Sequence, residues 1–260
     1  MSRRAATFLA PLAVVVVLLG LWQAAAKWDL LADALGIEPF LVPAPSDIAE
    51  SLWDDRELLA ENAWVTLQEV LAGLAIALAL GFGLAVALHL SPLLRRAFYP
   101  LLVASQTVPV IAIAPILIVW FGFGIGPKLA IIALVCFFPV TVNTLDGLRA
   151  VDPALVRMMR TLDAGRARIL RAVEAPSALP YFFSGAKVAA AVAVIGAVFG
   201  EWSGANEGLG HLILTSQAQL QTARVFAAVV VLSAIAIALV GALALAQRRF
   251  AGWTVSANTG

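Results

Sequence analysis

The chain has 260 residues, of which 62% are hydrophobic and 13% are charged, with a formal net charge of +1 and a mean hydropathy of +0.96. A water-soluble fold of this length has too little interior to bury so much apolar surface, whereas a lipid bilayer accepts that surface directly. The composition therefore excludes an ordinary soluble domain and predicts an all-α integral membrane protein whose solvent is mostly lipid.

Six stretches without Asp, Glu, Lys or Arg are candidates for membrane spans. A spanning helix needs about 20 apolar residues, so four of these runs can cross a bilayer alone. The shorter runs at 129–145 and 188–200 need flanking residues, and Lys128 is expected to reach outward to the membrane interface. We predict a single domain with about six transmembrane helices, at 6–26, 65–90, 99–121, 128–147, 183–202 and 224–246.

The first run, residues 5–26, has two interpretations. Basic residues at 3–4, an apolar stretch and three alanines at 24–26 match the layout of a cleavable signal peptide. The stretch is long for a signal, and Trp22 and Trp28 are placed like interfacial anchors. We expect it to be retained as the first spanning helix.

The next stretch, residues 27–62, carries nine acidic residues against two basic ones. Within it, residues 43–47 indicate an extended turn that leads into a helix capped by Ser46 or Asp47. We expect a short helix on the outer membrane surface, although a solvated connector fits the sequence equally well. Three residues would share one face of this helix: Ile48, Leu52 and Trp53.

The third span contains Pro109 and Pro115, each of which removes a backbone hydrogen bond. In lipid such breaks are tolerated mainly where the backbone faces protein or a water-filled path. We therefore expect this span to line a translocation path, with Gln106 and Thr107 as polar contacts. The alternative is a kink packed between neighbouring helices.

Polar residues of the fourth and fifth spans are further candidates for this path. Asn143 and Thr144 could face it or could make ordinary hydrogen bonds between helices. Glu201 lies at a membrane edge, where a carboxylate must be paired or solvated. It is assigned to the path with Trp202, as an outer gate or substrate contact, and the alternative is a solvated cap at the helix end.

Residues 149–180 are too structured for a simple linker. Asp152 precedes Pro153, the arrangement of an N-cap followed by a first helical residue, and helical residues continue through Leu162. Residues 163–165 interrupt the pattern, and a second helix is predicted from Arg166 to Glu174. Proline at 176 and at 180 is expected to end it before the next span. The stretch is also basic. It predicts either a compact knob that docks to a partner or a positively charged cytoplasmic loop whose only role is to set the orientation of the spans.

The basic residues also predict orientation. With the N-terminus in the cytoplasm, 13 of the 17 lysines and arginines lie inside, and only Lys27, Arg56, Lys128 and Arg224 lie outside. Because cytoplasmic loops are enriched in Lys and Arg, both termini are predicted to be cytoplasmic, which requires an even number of spans.

With these features, nearly the whole chain resembles the permease subunits of binding-protein-dependent ABC importers of the type I fold. Residues 157–165 are similar to that family's coupling loop, which inserts a short helix into a cleft of the ATP-binding subunit, and residues 175–180 to the proline-containing end of the motif. Two departures occur: residues 157–159 are Arg-Met-Met where the family usually has Glu-Ala-Ala, and Asp163 replaces a common glycine, so that Gly165 is expected to supply the turn. The resemblance implies ATPase coupling by Arg160, Thr161, Leu162, Asp163, Ala164, Gly165 and Arg166.

Several other stretches are similar to one branch of that family, which imports taurine, sulfonates, nitrate and thiamine precursors: 105–109, 114–115, 120–122, 136–139, 143–144, 200–202 and 208–210. The Gly-Glu-Trp of 200–202 is most similar to permeases for pyrimidine precursors of thiamine. The resemblance implies an inner-membrane homodimer, served by a separate ATP-binding subunit and an extracytoplasmic solute-binding protein.

Other functions lack their motifs in this sequence. No phosphate-binding G-x-x-x-x-G-K-[ST] stretch occurs, so ATP hydrolysis is expected on the partner subunit. His89, His211 and the single Cys136 do not form a metal motif, and neither a cofactor nor nucleic acid binding is expected. An ion-coupled secondary transporter would usually show internal repeats and ionisable groups at the membrane midplane, and neither is clear in this sequence. A membrane-embedded enzyme would need a cluster of His, Asp or Glu side chains, which the sequence does not indicate.

Overall fold

The computed structural model describes residues 3–252, and within this range helices are joined by short connections without any strand. The helices are α1 (Arg3–Lys27), α2 (Leu30–Leu35), α3 (Pro45–Asp54), α4 (Arg56–Leu90), α5 (Pro92–Ser105), α6 (Val110–Phe121), α7 (Ile125–Arg149), α8 (Pro153–Thr161), α9 (Arg166–Ile169), α10 (Ala175–Trp202), α11 (Leu209–Ala218) and α12 (Thr222–Phe250). A 3-10 turn occupies Pro39–Leu41, and a π-helical turn at Leu170–Glu174 joins α9 to α10.

Four described helical stretches are long and apolar enough to cross a membrane: α4, α7, α12 and the continuous stretch Arg166–Trp202. The α5 and α6 pair can supply a fifth crossing only as one span bent by 105°. Residues Ala13–Lys27 of α1 form a shorter apolar helix. The prediction of an all-α, multi-pass membrane protein is confirmed, whereas the count of six spans stays a prediction.

The predicted third span, 99–121, is wrong as a continuous helix. α5 ends at Ser105 and α6 begins at Val110, and the bend lies in the four residues between them. Pro109 has no backbone donor, and its ring disfavours the helical conformation at the residue before it. The sequence therefore breaks at the first of the two prolines, while Pro115 lies inside α6.

The core of the bundle is α7, packed between α4 and α10. Glycine on α4 allows the close approach: a Cβ added to Gly73 would lie 2.6 Å from the Cβ of Ile132, and one added to Gly81 would lie 2.9 Å from the Cβ of Val140. Small residues let membrane helices pack at this separation, since dispersion contacts rather than the hydrophobic effect drive helix association in lipid. The three helices thereby form the frame that carries the polar side chains described below.

Helix α3 begins at Pro45 with Ala44 as its N-cap, two residues before the predicted Ser46 cap and three before the alternative Asp47 cap. Asp47 lies one turn into the helix, where its carboxylate accepts the Ala44 N–H at 3.0 Å. Ile48 and Leu52 pack against the core, but Trp53 is exposed. The prediction that all three share one face is therefore wrong, and the solvated-connector alternative is wrong as well, since the segment is a packed helix.

Candidate functional site

Residues 149–180, called the knob from here on, begin with the predicted helix. The Asp152 carboxylate accepts the Ala154 N–H at 2.7 Å, and Pro153 is the first residue of α8. An aspartate cap followed by proline satisfies one of the four free N–H groups of a helix start and removes another. The helix ends at Thr161, one residue before the predicted Leu162.

The elbow after α8 turns at Asp163, whose φ is +57°. Aspartate is one of the few residues other than glycine that visit this left-handed region routinely. Gly165 has an extended conformation, with φ of −64° and ψ of 159°, and caps the start of α9. The expectation that Gly165 supplies the turn is therefore wrong, because Asp163 makes it directly.

The second arm of the knob continues into the bundle without a stop. α9, the π turn and α10 form one helical stretch, Arg166–Trp202, so the prediction that Pro176 and Pro180 end the helix is wrong. In the π turn the Ala175 N–H bonds to the Leu170 carbonyl, five residues back. This wider turn precedes the two positions where proline cannot donate, which lets the helix direction continue past them.

The predicted coupling residues gather on the exposed side of the knob, with one exception. Leu162 is 68% exposed, and Met158 and Leu155 beside it are 51% and 38% exposed. Five further members are exposed at the same elbow: Arg160, Thr161, Asp163, Gly165 and Arg166. Ala164 is buried and packs inward. The elbow therefore presents a small apolar surface edged by arginines.

The knob is tied to the end of α4 by contacts that the sequence did not reveal. Arg166 Nη2 donates to the carbonyl oxygens of Leu90 at 2.7 Å and of His89 at 3.3 Å, where a helix end leaves carbonyls unsatisfied. The His89 Nε2 and a Glu174 carboxylate oxygen are 2.9 Å apart, with both side chains largely buried. No motif signals this pair, because its members are 85 positions apart in the chain.

At the opposite end of the bundle, called the far end, Glu201 is 1% exposed. One carboxylate oxygen accepts the Thr66 hydroxyl at 2.6 Å, and the other accepts the Gly210 N–H at 2.5 Å. The Thr66 oxygen in turn accepts the Leu209 N–H at 2.8 Å. The solvated-cap interpretation of Glu201 is wrong, because its carboxylate is satisfied by protein donors from α4 and from the start of α11.

A buried ion pair lies beside this cluster. Lys128 Nζ donates to a Glu69 carboxylate oxygen at 2.6 Å, and the two side chains are 11% and 4% exposed. Glu201 interacts electrostatically with both groups. The expectation that Lys128 reaches outward is wrong, because its ammonium pairs with the buried Glu69 carboxylate, which would otherwise be an unpaired buried charge.

The predicted path residues do not form one site in this structure. Gln106, Thr107 and Pro109 are exposed in the break between α5 and α6. The Asn143 amide donates to the Pro139 carbonyl of its own helix at 2.7 Å, and Thr144 is fully buried. Trp202 is partly exposed and donates through Nε1 to the Gly210 carbonyl at 3.0 Å. Only Glu201 and Trp202 are brought together, at the 208–210 corner.

A comparison with protein families shows which family has this sequence pattern. Residues 77–252 match the model of the family described as "Binding-protein-dependent transport system inner membrane component". The chain belongs to this family. The match covers the α5–α6 pair and the knob completely, and the far-end cluster from α10 onward. It favours the permease prediction over an ion-coupled secondary transporter. Members of the family are transport components rather than catalysts, and they work with an ATP-binding subunit and a binding protein.

Curated relatives confirm the predicted branch of ABC importer permeases. The permease is 38% identical to a probable ABC transporter permease protein of Haemophilus influenzae, over 95% of this chain and 98% of the relative. It is 40% identical to the formylaminopyrimidine transport permease protein ThiX of Halalkalibacterium halodurans, over 81% and 84%. Identity to the taurine transport system permease protein TauC of Escherichia coli is 29%, over 92% and 87%.

Solved structures agree on the fold. The permease superposes on a chain of the MetNI methionine ABC transporter, in an inward-facing conformation, with a TM-score of 0.67 and 18% identity, covering 76% of this chain and 98% of that chain. A chain of an amino acid ABC transporter solved with histidines gives a TM-score of 0.60 at 18% identity, over 76% and 97%. The predicted type I importer permease fold is confirmed.

Proposed function

We propose that the permease forms a homodimer around one translocation path and carries a small polar solute into the cell. A separate ATP-binding subunit drives the cycle, and an extracytoplasmic binding protein delivers the solute. The permease itself needs no cofactor, because ATP is bound and hydrolysed by the partner. In this arrangement the knob is cytoplasmic, the far end faces the binding protein, and both chain termini, which lie outside the described residues, are cytoplasmic in the inner membrane.

The observation that carries this proposal is the apolar elbow of the knob. Leu162, Met158 and Leu155 are exposed at the end of a helical arm, edged by arginines, where a surface with no partner would be polar. A leucine anchor surrounded by charge is the composition of a protein docking site, in which a few buried apolar residues supply most of the affinity. In this family the partner is an ATP-binding subunit, and we propose that its cleft receives the elbow.

For the solute we propose a pyrimidine precursor of thiamine. The support is the relative named for formylaminopyrimidine transport, which is 40% identical to this chain, together with the Gly-Glu-Trp stretch around Glu201. Sulfonate or taurine is the second candidate, supported by relatives named for those solutes at 29% and 32% identity. Selectivity would lie largely in the binding protein that presents the solute.

The test is uptake into proteoliposomes that contain the permease with its ATP-binding subunit, supplied with the binding protein outside and ATP inside. We expect ATP-dependent accumulation of labelled formylaminopyrimidine and no accumulation of labelled taurine. The reverse preference would replace the substrate but keep the importer. Uptake driven by an ion gradient, with neither nucleotide nor a second polypeptide present, would overturn the importer itself.

A further inference from the structure

Helix α4 is fastened to the continuous helical stretch Arg166–Trp202 at two places that lie at opposite ends of the bundle. The knob pin consists of the His89–Glu174 contact and the Arg166 hydrogen bonds to the end of α4. The far pin consists of the Thr66–Glu201 hydrogen bond and the Leu209 N–H that Thr66 accepts. Asn62, one turn before Thr66, adds a 2.8 Å hydrogen bond from the Gly208 N–H. Thus α4 holds both the knob and the 208–210 corner.

Helix α4 is suited to transmit movement along its axis. It has 35 residues and is therefore about 52 Å long, and the distance from Thr66 to His89 along it is about 35 Å. Its sequence contains no proline, the residue that most often kinks a helix. A push on one end is therefore expected to reach the other end with little bending.

The start of helix α10 has fewer regular backbone hydrogen bonds than the rest of the helix, although α10 is continuous with the knob. The π turn at Leu170–Glu174 and the prolines at 176 and 180 remove or displace backbone hydrogen bonds just where the arm enters the bundle. Arg166 and Glu174 lie on the knob side of both prolines. Their contacts with α4 therefore bypass the weakened start of α10.

From this arrangement we propose that α4 carries the movement of the knob to the 208–210 corner, and that His89, Glu174, Arg166 and Thr66 are the positioning residues of this route. The inference rests on the proposed ATP-driven import. It assigns to the His89–Glu174 contact a role that docking to the ATP-binding subunit does not need, since both side chains are largely buried and lie off the exposed elbow. Loss of this contact should leave docking intact and separate ATP hydrolysis from transport.

The experiment measures solute moved per ATP hydrolysed in the reconstituted complex, with formylaminopyrimidine as the probe. Glu174→Gln keeps the size of the side chain, and His89→Ala removes the ring. For each variant we expect the ratio to fall about fivefold while hydrolysis continues, the lower end of usual coupling effects. Exchanging the partners, His89→Glu with Glu174→His, should recover part of the lost ratio because it restores the pair in reverse.

The far pin has a matched control on the neighbouring helix. Thr66→Val removes a hydroxyl that joins α4 to α10 and α11, and should lower the ratio as the knob-pin variants do. Thr141→Val removes a fully buried hydroxyl that donates only to the Phe137 carbonyl of its own helix, and should leave the ratio near that of the unmodified protein. Both changes keep the side-chain shape, so a difference between them reports the connection and not packing.

Three results would overturn the inference. The first is an unchanged ratio in the pin variants, and the second is a parallel fall of transport and hydrolysis, which would mean static support. The third is an exchanged pair that recovers nothing. Binding of the ATP-binding subunit to detergent-extracted variants confirms that each is folded. If instead the unmodified complex fails to accumulate solute with ATP, the proposed function fails and the ratio has no meaning.

Discussion

The Thr66 hydroxyl donates a 2.6 Å hydrogen bond to the Glu201 carboxylate, although the two residues are 135 positions apart in the chain. The same carboxylate accepts the Gly210 N–H, and the same hydroxyl accepts the Leu209 N–H. Two side chains therefore join α4, α10 and the start of α11 in a place that water does not reach. Because water cannot replace a lost partner there, the loss of any one of these hydrogen bonds should lower the free energy of unfolding.

Replacement of Glu201 tests this junction. Glu201→Ala should lower the free energy of unfolding by about 2–4 kcal/mol, because it leaves the Thr66 hydroxyl and the Gly210 N–H without their acceptor. Glu201→Gln should cost less, since the amide oxygen still accepts one of them. Thermal unfolding in detergent measures both, with Glu207→Gln as a control at an exposed acid of the same end. Equal stability of the alanine variant and the control would show that the hydrogen bonds contribute nothing.

The second prediction concerns replacement of Gly208. Its φ of +115° with ψ of 158° is a conformation that essentially only glycine adopts, and an added Cβ would lie 2.3 Å from the Glu201 carboxyl carbon. Gly208→Ala should therefore destabilise the protein by about 3 kcal/mol or more. Gly83→Ala is the matched control, since its Cβ would meet nothing within 4 Å and alanine favours a helix by about 1 kcal/mol. A Gly208 variant that unfolds no earlier than the Gly83 variant would contradict the structure of this corner.

The third prediction concerns acid stability at the far end. Arg224 donates to both Asp55 oxygens, at 2.6 and 2.8 Å, and this holds the pKa of the Asp55 carboxyl below its ordinary value of 3.8. Because the pKa is lowered in the folded state, the pair stabilises the protein fully above that ordinary value, and the contribution is lost as the pH falls through the lower folded pKa. The unfolding temperature of the unmodified protein should exceed that of Asp55→Asn at neutral pH, and the gap should close below pH 3.8.

The control for this pair is Asp54→Asn, the exposed neighbouring acid. It should follow the unmodified protein over the whole pH range. A gap between the Asp55 variant and the unmodified protein that does not change with pH would mean that the carboxyl acts through packing and not through its charge.

The fourth prediction concerns the elbow. Asp163→Gly should be tolerated, because glycine adopts a φ of +57° without cost, whereas Asp163→Val should disturb the turn by about 1–2 kcal/mol or more. Capture of the ATP-binding subunit by the detergent-extracted permease should weaken for the valine variant alone. Equal capture by both variants would show that the geometry of the elbow does not matter for docking.

The features that sequence predicts here are local ones. Asp152 and Pro153 define a helix start by themselves, and the charge-free runs indicate α4, α7 and α12 because the length of an apolar run is a property of neighbouring residues. The sequence predicts the knob for the same reason. It does not predict where the second helix of the knob ends, since a π turn that carries the helix past Pro176 leaves no mark in a single sequence.

What sequence did not predict depends on pairing across the fold. His89 has no helical neighbour of opposite charge, and Glu174 lies in another segment, so neither residue indicates the knob pin. The sequence places Lys128 at the interface, because a lone lysine in an apolar run usually extends there. Its actual partner, Glu69, is on a helix that comes close only because Gly73 and Gly81 let α4 and α7 approach.

The docking role of the elbow is tested most directly by ATP-driven uptake into proteoliposomes that contain the complex with Leu162→Asp. We expect this variant to lose uptake and capture of the ATP-binding subunit while it stays folded in the membrane. The substitution should weaken docking by about 2 kcal/mol or more. Leu93→Asp, an exposed leucine at the start of α5 outside the knob, should keep both, since an acid is favoured at the start of a helix. Normal uptake by the Leu162 variant would contradict the proposal that the elbow docks the ATP-binding subunit.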